Sequence, residues 1–270
     1  MKVAFIGGGN MASAILGGLV ARGRSGADFV VVEPSAEARE RLATRFGVNA
    51  LAAPGPELAG TSAIVLAVKP QQMRAAASAL RPFLAGQLVL TIAAGIRLAD
   101  LSRWLGGHGR LVRAMPNTPA LVHAGITGLF APPAVGEADR RDAESLLSAV
   151  GSTLWFAAES DLDAVTAVSG SGPAYVFYAI EALENAAREL GLSPEAARRL
   201  AVETFAGASR LAAERGEDPA ALRAQVTSKG GTTERALGVL DEARVKAKFA
   251  AAVKAACERS RELGEEFGKD

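Results

Sequence analysis

The strongest constraint on how this chain can fold lies close to its N-terminus. The apolar run Val3-Ala4-Phe5-Ile6 passes directly into Gly7-Gly8-Gly9-Asn10-Met11-Ala12. The pattern is G-x-G-x-x-A, in which each small residue has its own task. The first glycine makes a tight turn, and the second lets the backbone approach a pyrophosphate. The small third residue lets a helix pack closely on its strand. A helix beginning near Asn10 would also direct free N–H groups at phosphate oxygens. A glycine pattern alone is weak evidence. Here a strand-like run precedes it, an amphipathic stretch follows, and a second apolar run, Phe29-Val30-Val31-Val32, comes next. That context predicts dinucleotide binding through Ile6, Gly7, Gly8, Gly9, Asn10 and Met11.

Further runs repeat the rhythm: Ala63 to Val68, Leu88 to Ile92 and Leu111 to Met115. Continuous apolar runs of this kind fit strands buried on both faces. Spacings of roughly 20 to 30 residues leave room for a crossover helix each time. The fold class expected is α/β, with an N-terminal doubly wound sheet of Rossmann type. Ile126 to Ala131 and Thr153 to Ala157 could extend the sheet at its edge. After Asp161 the texture becomes helical. A helix is expected over 174–190 and ends at Gly191. Ser193 then reads as an N-cap with Pro194 at the first helical position. A last, Ala-rich helix is expected over 243–267. The expected domains are 1–160, dinucleotide-binding, and 161–270, all-helical.

Composition narrows the function. The 270 residues are 49% apolar and 22% charged, which supports a sizeable core. The formal net charge of +1 argues against a broad electrostatic footprint on nucleic acid or an anionic membrane. One cysteine, Cys257, rules out a disulfide framework and a Cys-based zinc site within one chain. With only His108 and His123 a His-rich metal site is not expected either, so no metal is assigned. No apolar run reaches the ~18 residues needed to cross a bilayer, and a cytoplasmic protein is expected.

Glu33 ends the second run, about 20 residues past the glycines, where an acidic side chain ordinarily accepts hydrogen bonds from a ribose 2′-OH. Arg39 and Arg41 lie nearby, either to meet a 2′-phosphate or to face solvent on the following helix. Ala67-Val68-Lys69-Pro70-Gln71 and Arg113-Ala114-Met115-Pro116-Asn117-Thr118-Pro119 leave later strands at their carboxyl ends, where ligands of open α/β sheets bind. In the helical half, Ser169-Gly170-Ser171-Gly172-Pro173-Ala174 and Thr227-Ser228-Lys229-Gly230-Gly231-Thr232-Thr233 each precede a helix. The second can cradle an anion. Gly230 and Gly231 open the backbone N–H groups, and Ser228, Thr232 and Thr233 supply hydroxyls. The same residues could serve as an ordinary N-cap with a glycine turn.

These segments, in this order, resemble pyrroline-5-carboxylate reductases over essentially the whole chain. The resemblance implies an all-helical C-terminal domain that binds substrate and interlocks with a second copy in a homodimer, commonly assembled further into a decamer of five dimers. It implies reduction of 1-pyrroline-5-carboxylate to L-proline by hydride from NADPH, with NADH as the alternative. It assigns Ala67, Val68, Lys69, Pro70 and Asn117 to the cofactor together with Glu33 and the glycine loop. Ser228, Gly230, Gly231 and Thr232 would hold the substrate carboxylate, and Thr233 would partner the imine nitrogen. Lys229 stands where the family has proline. That removes a φ restriction from the loop and adds a cation near a carboxylate site, although an exposed lysine ordinarily points to solvent.

Two other readings compete. A β-hydroxyacid dehydrogenase would carry a catalytic lysine on a long helix, and Lys246, Lys248 and Lys254 lie on the last one. A non-catalytic NAD(P)-binding sensor would have no need for a carboxylate cradle in its other half.

Overall fold

The computed structural model describes residues 1–269. The chain divides into two compact units: residues 1–171 with 255–270, and residues 172–254.

The first unit is built on an eight-stranded sheet of order β3-β2-β1-β4-β5-β6-β7-β8. The strands are β1 (Val3–Ile6), β2 (Phe29–Val32), β3 (Asn49–Leu51), β4 (Ala63–Leu66), β5 (Leu88–Thr91), β6 (Leu111–Met115), β7 (Gly125–Phe130) and β8 (Gly151–Trp155). Helices α1 (Asn10–Ala21), α2 (Ala36–Phe46), α3 (Met73–Leu80), α4 (Leu98–Trp104) and α5 (Glu137–Leu147) connect them, and the short α6 (Asp161–Val165) follows β8. Strands β3 to β6 run parallel, as the buried apolar runs predict. β7 is antiparallel to β6. Residues 116–124 between them are too few for a crossover, which takes about a dozen residues. β8 follows α5 and is again parallel to β7.

Successive side chains of each strand enter opposite layers. Val3, Phe5, Val31, Val65, Leu90 and Val112 share one core with Ile15 and Leu16 of α1 and Leu146 of α5. Ala4, Ile6, Val30, Ile64, Leu66 and Val89 share the other with Met73, Leu80, Leu101 and Trp104. Each large side chain so buried contributes about 1.5–3 kcal/mol relative to exposure, which makes this sheet a rigid platform for its loops.

The second unit holds α7 (Gly172–Glu189), α8 (Pro194–Arg215), α9 (Pro219–Gln225), α10 (Thr232–Glu242) and the first part of α11 (Val245–Gly268). The Ser193 hydroxyl caps α8 by accepting from Ala196 N, with Pro194 at the first turn, as the sequence predicts. The final helix begins later than expected. Ala243 is the C-cap of α10 and Arg244 takes φ +53°, so α11 starts at Val245. Tyr175 and Phe249 meet edge to face at 5.6 Å within this unit. Its helices leave large apolar side chains in solvent: Phe177 is 66% exposed, Tyr178 77% and Leu190 84%. Among the described residues no helix is long and apolar enough to cross a membrane.

Candidate active site

The strand order reverses direction at β1, which lies between β2 and β4. In an open α/β sheet the ligand crevice lies outside the carboxyl ends of the strands at that switch. The glycine loop leaves β1 there, and Ala67 to Pro70 leave β4 beside it, with Ala67 N donating to Ile6 O at 2.8 Å. Ile6 is buried at the end of β1, and Glu33 follows β2 on the other side. The structure therefore brings Ile6 to Met11, Glu33 and Ala67 to Pro70 to one rim. Val68 and Pro70 are partly buried there, and Lys69 is exposed.

The three glycines have separate physical requirements. Gly7 sits at φ +99°, and a Cβ there would lie 2.8 Å from Ala67 O. Close packing of the two strand exits therefore demands glycine. A Cβ on Gly8 would meet Leu42 Cδ1 at 2.5 Å. Around Gly9, by contrast, nothing lies within 4 Å of where a Cβ would stand. The protein itself makes no use of that bareness. It leaves the backbone open to a ligand, as pyrophosphate approach requires. Gly9 is also the N-cap of α1, and no side chain caps that end. First-turn N–H groups are thus presented at the rim, where a helix favours an anion. The residues present fit a dinucleotide.

Glu33 is held firmly. Its Oε2 accepts Gly8 N–H at 3.0 Å, and its Oε1 accepts Ser35 N–H at 3.0 Å. Arg39 turns back onto the same corner, where its Nη1 donates to Glu33 O at 2.8 Å and Pro34 O at 2.7 Å. A carboxylate and a guanidinium thus flank the end of β2, while Arg41 pairs with Glu37 on the outer face of α2. Sequence reasoning passed over Ala93 and Ala94. They follow β5, next to β4 in the sheet, and so reach the same rim. Small residues directly after a buried strand were the available signal.

Asn117 follows β6. Its Oδ1 accepts Ile126 N–H at 2.9 Å and its Nδ2 donates to Ser169 O at 3.1 Å. Below this corner, Arg113 is 4% exposed. Its guanidinium lies 3.2 Å from Glu159 and 3.7 Å from Asp163. Asp163 also accepts from Ser260 Oγ of α11 at 2.8 Å. His123 is an exposed residue at φ +58° ending a 3₁₀ turn, and His108 Nε2 lies 2.8 Å from Gln87 O.

The second unit carries the other candidate loop. Gly230 adopts φ +74°, Gly231 is the N-cap of α10, and Gly231 N donates to Ser228 O at 3.0 Å. Gly230 N–H is taken by Glu234 Oε2 at 2.7 Å. Thr233 is partly buried, whereas Ser228, Lys229 and Thr232 are exposed. Sequence reasoning missed Glu234, although a Glu in the first turn of a helix is a capping signal. Lys246 pairs with Asp241 at 2.8 Å, and this neighbour holds the Asp241 carboxyl below its ordinary range. Lys248 and Lys254 are exposed on α11.

The switch-point crevice and its glycine loop define a Rossmann-type NAD(P)-dependent oxidoreductase. Residues 2–95 match the family described as NADP oxidoreductase, coenzyme F420-dependent. Residues 159–263 match pyrroline-5-carboxylate reductase dimerisation. The chain is 45% identical over 269 residues to the pyrroline-5-carboxylate reductase of Pseudomonas aeruginosa, covering 99% of this chain and 98% of that one. It is 37% identical to the Arabidopsis thaliana enzyme of the same name over 98% of this chain and 96% of that one. The solved pyrroline-5-carboxylate reductase of Coxiella burnetii superposes with a TM-score of 0.91 at 39% identity, over 97% of this chain and 98% of that one. A Plasmodium falciparum pyrroline carboxylate reductase solved with NADP bound gives 0.86 at 28% identity, over 98% of both chains. The chain belongs to the pyrroline-5-carboxylate reductase family.

Proposed function

We propose that this chain reduces the C=N bond of 1-pyrroline-5-carboxylate to give L-proline, using NADPH, with NADH as the alternative donor. The observation that carries the reading is the open approach at Gly9, at a topological switch point, in a chain whose full-length relatives bear this enzyme's name. Bound there, the reduced nicotinamide supplies the hydride. The protein contributes binding and orientation. Backbone groups of Gly7 to Met11 receive the pyrophosphate, Glu33 faces the adenosine ribose, and the backbone of Ala67 to Pro70 and the Asn117 corner border the nicotinamide half. The hydroxyls of Ser228 and Thr232 hold the substrate carboxylate at the head of α10, on a turn in which the Gly230 and Gly231 N–H groups are already taken by Glu234 and by Ser228 O, and Thr233 hydrogen-bonds the imine nitrogen. A protonated imine is already electrophilic, so placement and orientation supply much of the rate enhancement.

In this reading residues 1–160 serve the cofactor and residues 161–270 serve substrate binding and dimerisation. The exposed Phe177, Tyr178 and Leu190 support burial of the helical unit against a second copy, since large apolar patches mark interaction surfaces. Further assembly into a decamer and a cytoplasmic location complete the proposal, with no nucleic-acid or membrane partner. The test is the initial rate of NADPH and NADH oxidation with 1-pyrroline-5-carboxylate, with proline identified as product. Folded, cofactor-binding protein that oxidises neither would overturn it.

A further inference from the structure

We propose that Asn117 is a positioning residue for hydride transfer and that its side chain does not serve as a cofactor ligand; the inference rests on the reductase reading above. Asn117 occupies the N-cap position of the 3₁₀ turn Thr118–Val122, yet its side chain makes no cap hydrogen bond. An asparagine there ordinarily caps a free N–H. Here the carboxamide is diverted to two other elements, accepting from Ile126 N at the start of β7 and donating to Ser169 O.

The Ser169 carbonyl has a reason to need that donor. Residues Thr166–Gly170 form a π turn, closed by Ser171 N donating to Thr166 O at 2.8 Å. Its hydroxyls are turned inward: Thr166 Oγ1 donates to Leu162 O and Ser169 Oγ to Val165 O. In a regular helix the Ser169 carbonyl would accept from the residue four further on. That residue is Pro173, which has no N–H. A half-buried carbonyl deprived of its helical partner calls for a substitute, and Asn117 Nδ2 supplies it. The two segments are also in contact below this bond. A Cβ on Gly170 would lie 2.6 Å from Met115 Cε, so the turn packs directly against the Met115 side chain at the end of β6.

Asn117 therefore ties three things together: the exit of β6, the first residues of β7, and the π turn that leads into α7. The exit of β6 is a strand end at the ligand-binding rim of the sheet. A tie there fixes the surface against which the reacting half of the cofactor must lie. Its loss should misplace the reacting atoms while leaving the pyrophosphate grip of the glycine loop intact.

The experiment compares wild type with Asn117→Ala and Asn117→Asp. It measures kcat, the NADPH dissociation constant by fluorescence, melting temperature, and the isotope effect with NADPH deuterated at the transferred position. Asp keeps the acceptor for Ile126 N–H and removes the donor to Ser169, so it stands in if the Ala variant does not fold. Since misplacement of about 1 Å can cost up to ~100-fold in rate, kcat per folded enzyme is expected to fall at least ~10-fold. The NADPH dissociation constant should stay within ~2-fold, because the glycine loop carries that binding. The isotope effect should rise as hydride transfer becomes limiting. A weakened NADPH affinity with wild-type kcat at saturation would make Asn117 a ligand and overturn the proposal. An unchanged isotope effect with activity lost only in proportion to folded protein would make it purely structural, also overturning it. Wild type that fails to oxidise NADPH with the imine acid brings down the reductase reading and this role with it, whereas active wild type with unaffected variants brings down this role alone.

Discussion

The Glu33 carboxylate accepts the backbone N–H of Gly8 across 3.0 Å, tying the end of β2 to the glycine loop. In the proposed reading the same side chain places a negative charge beside the adenosine 2′-substituent, so one residue would both brace the loop and bias cofactor choice. A 2′-phosphate is repelled by a fixed carboxylate, and Arg39, held by Glu33 O and Pro34 O, offers the compensating cation. Glu33→Gln keeps an acceptor for Gly8 and removes the charge. The ratio of kcat/KM for NADPH to that for NADH should rise about tenfold, the equivalent of ~1.4 kcal/mol. Glu33→Ala should shift the ratio the same way and also cost about 1 kcal/mol of stability, because Gly8 N–H loses its partner. Kinetics with both cofactors, together with a denaturant titration, check both statements.

Gly7 and Gly9 should separate folding from binding. A methyl at Gly7 meets Ala67 O and must adopt φ +99°, so Gly7→Ala should lower stability by about 1–3 kcal/mol. A methyl at Gly9 meets nothing within 4 Å, so Gly9→Ala should leave the melting temperature of the cofactor-free protein within ~2 °C, as surface substitutions within about ±0.5 kcal/mol do. It should nonetheless raise the NADPH dissociation constant by ~10-fold or more, because the backbone can no longer approach the pyrophosphate. Thermal melts with and without NADPH distinguish the two variants.

Much of this was legible in the sequence for a definite reason. The buried parallel strands announce themselves as unbroken apolar runs, and the glycine fingerprint places the crevice at the switch point. β3 was not legible. Asn49–Leu51 is three residues long and partly exposed, and it owes its extended form to pairing with Val30 to Val32. The direction of β7 depended on the brevity of 116–124, which a run of apolar residues does not reveal. At the site, motif positions could be read, but the partners of Glu33, Asn117 and Glu234 could not. Each bonds to a backbone group set by the local turn or by a distant strand, and side-chain identity does not encode that choice.

Arg113 should be the most costly polar residue to remove from the first unit. It is buried among Glu159 and Asp163, and Asp163 also holds Ser260 of α11. Glu159 further accepts Leu98 N–H at 2.8 Å, at the start of α4. Arg113→Ala leaves partly buried carboxylates without their cation, a loss of roughly 3–5 kcal/mol. Urea unfolding at neutral pH should show it as a lower midpoint. Adding Glu159→Gln and Asp163→Asn to that variant should restore part of the loss, since the uncompensated charges disappear.

The end of α11 should respond to acid. Arg259 bonds Glu262 at 2.7 Å and Glu266 at 2.8 Å, and this neighbour holds the Glu266 carboxyl below its ordinary range while the Arg259 guanidinium is held above its own. A lowered carboxylate value in the folded state gives stability that is present above the unfolded value. That stability disappears as pH falls through the folded one. The difference in melting temperature between wild type and Glu266→Gln should therefore be constant near neutrality, begin to shrink as pH falls through the ordinary glutamate range of about 4.3, and disappear at lower pH. It should also shrink in high salt, because the pair is exposed. A difference that grew as pH fell would contradict the assignment.

Glu234 should matter for the imine acid more than for the cofactor. Its carboxylate takes the Gly230 N–H at 2.7 Å and closes the 228–231 turn, with Gly230 at φ +74° and Lys229 exposed beside it. Glu234 reaches back from the first turn of α10 and fixes by a side chain what a proline at 229 would fix by its ring. Glu234→Ala should therefore raise KM for 1-pyrroline-5-carboxylate about 3- to 10-fold, the scale of one lost hydrogen bond of ~0.5–1.5 kcal/mol. KM for NADPH should stay unchanged. Lys229→Pro in the Glu234→Ala background should recover most of that loss and should do little in wild type, because the two devices restrain the same turn. Full additivity in this double-mutant cycle would show that Glu234 and residue 229 act on different features, and the turn would owe its shape to the glycines alone.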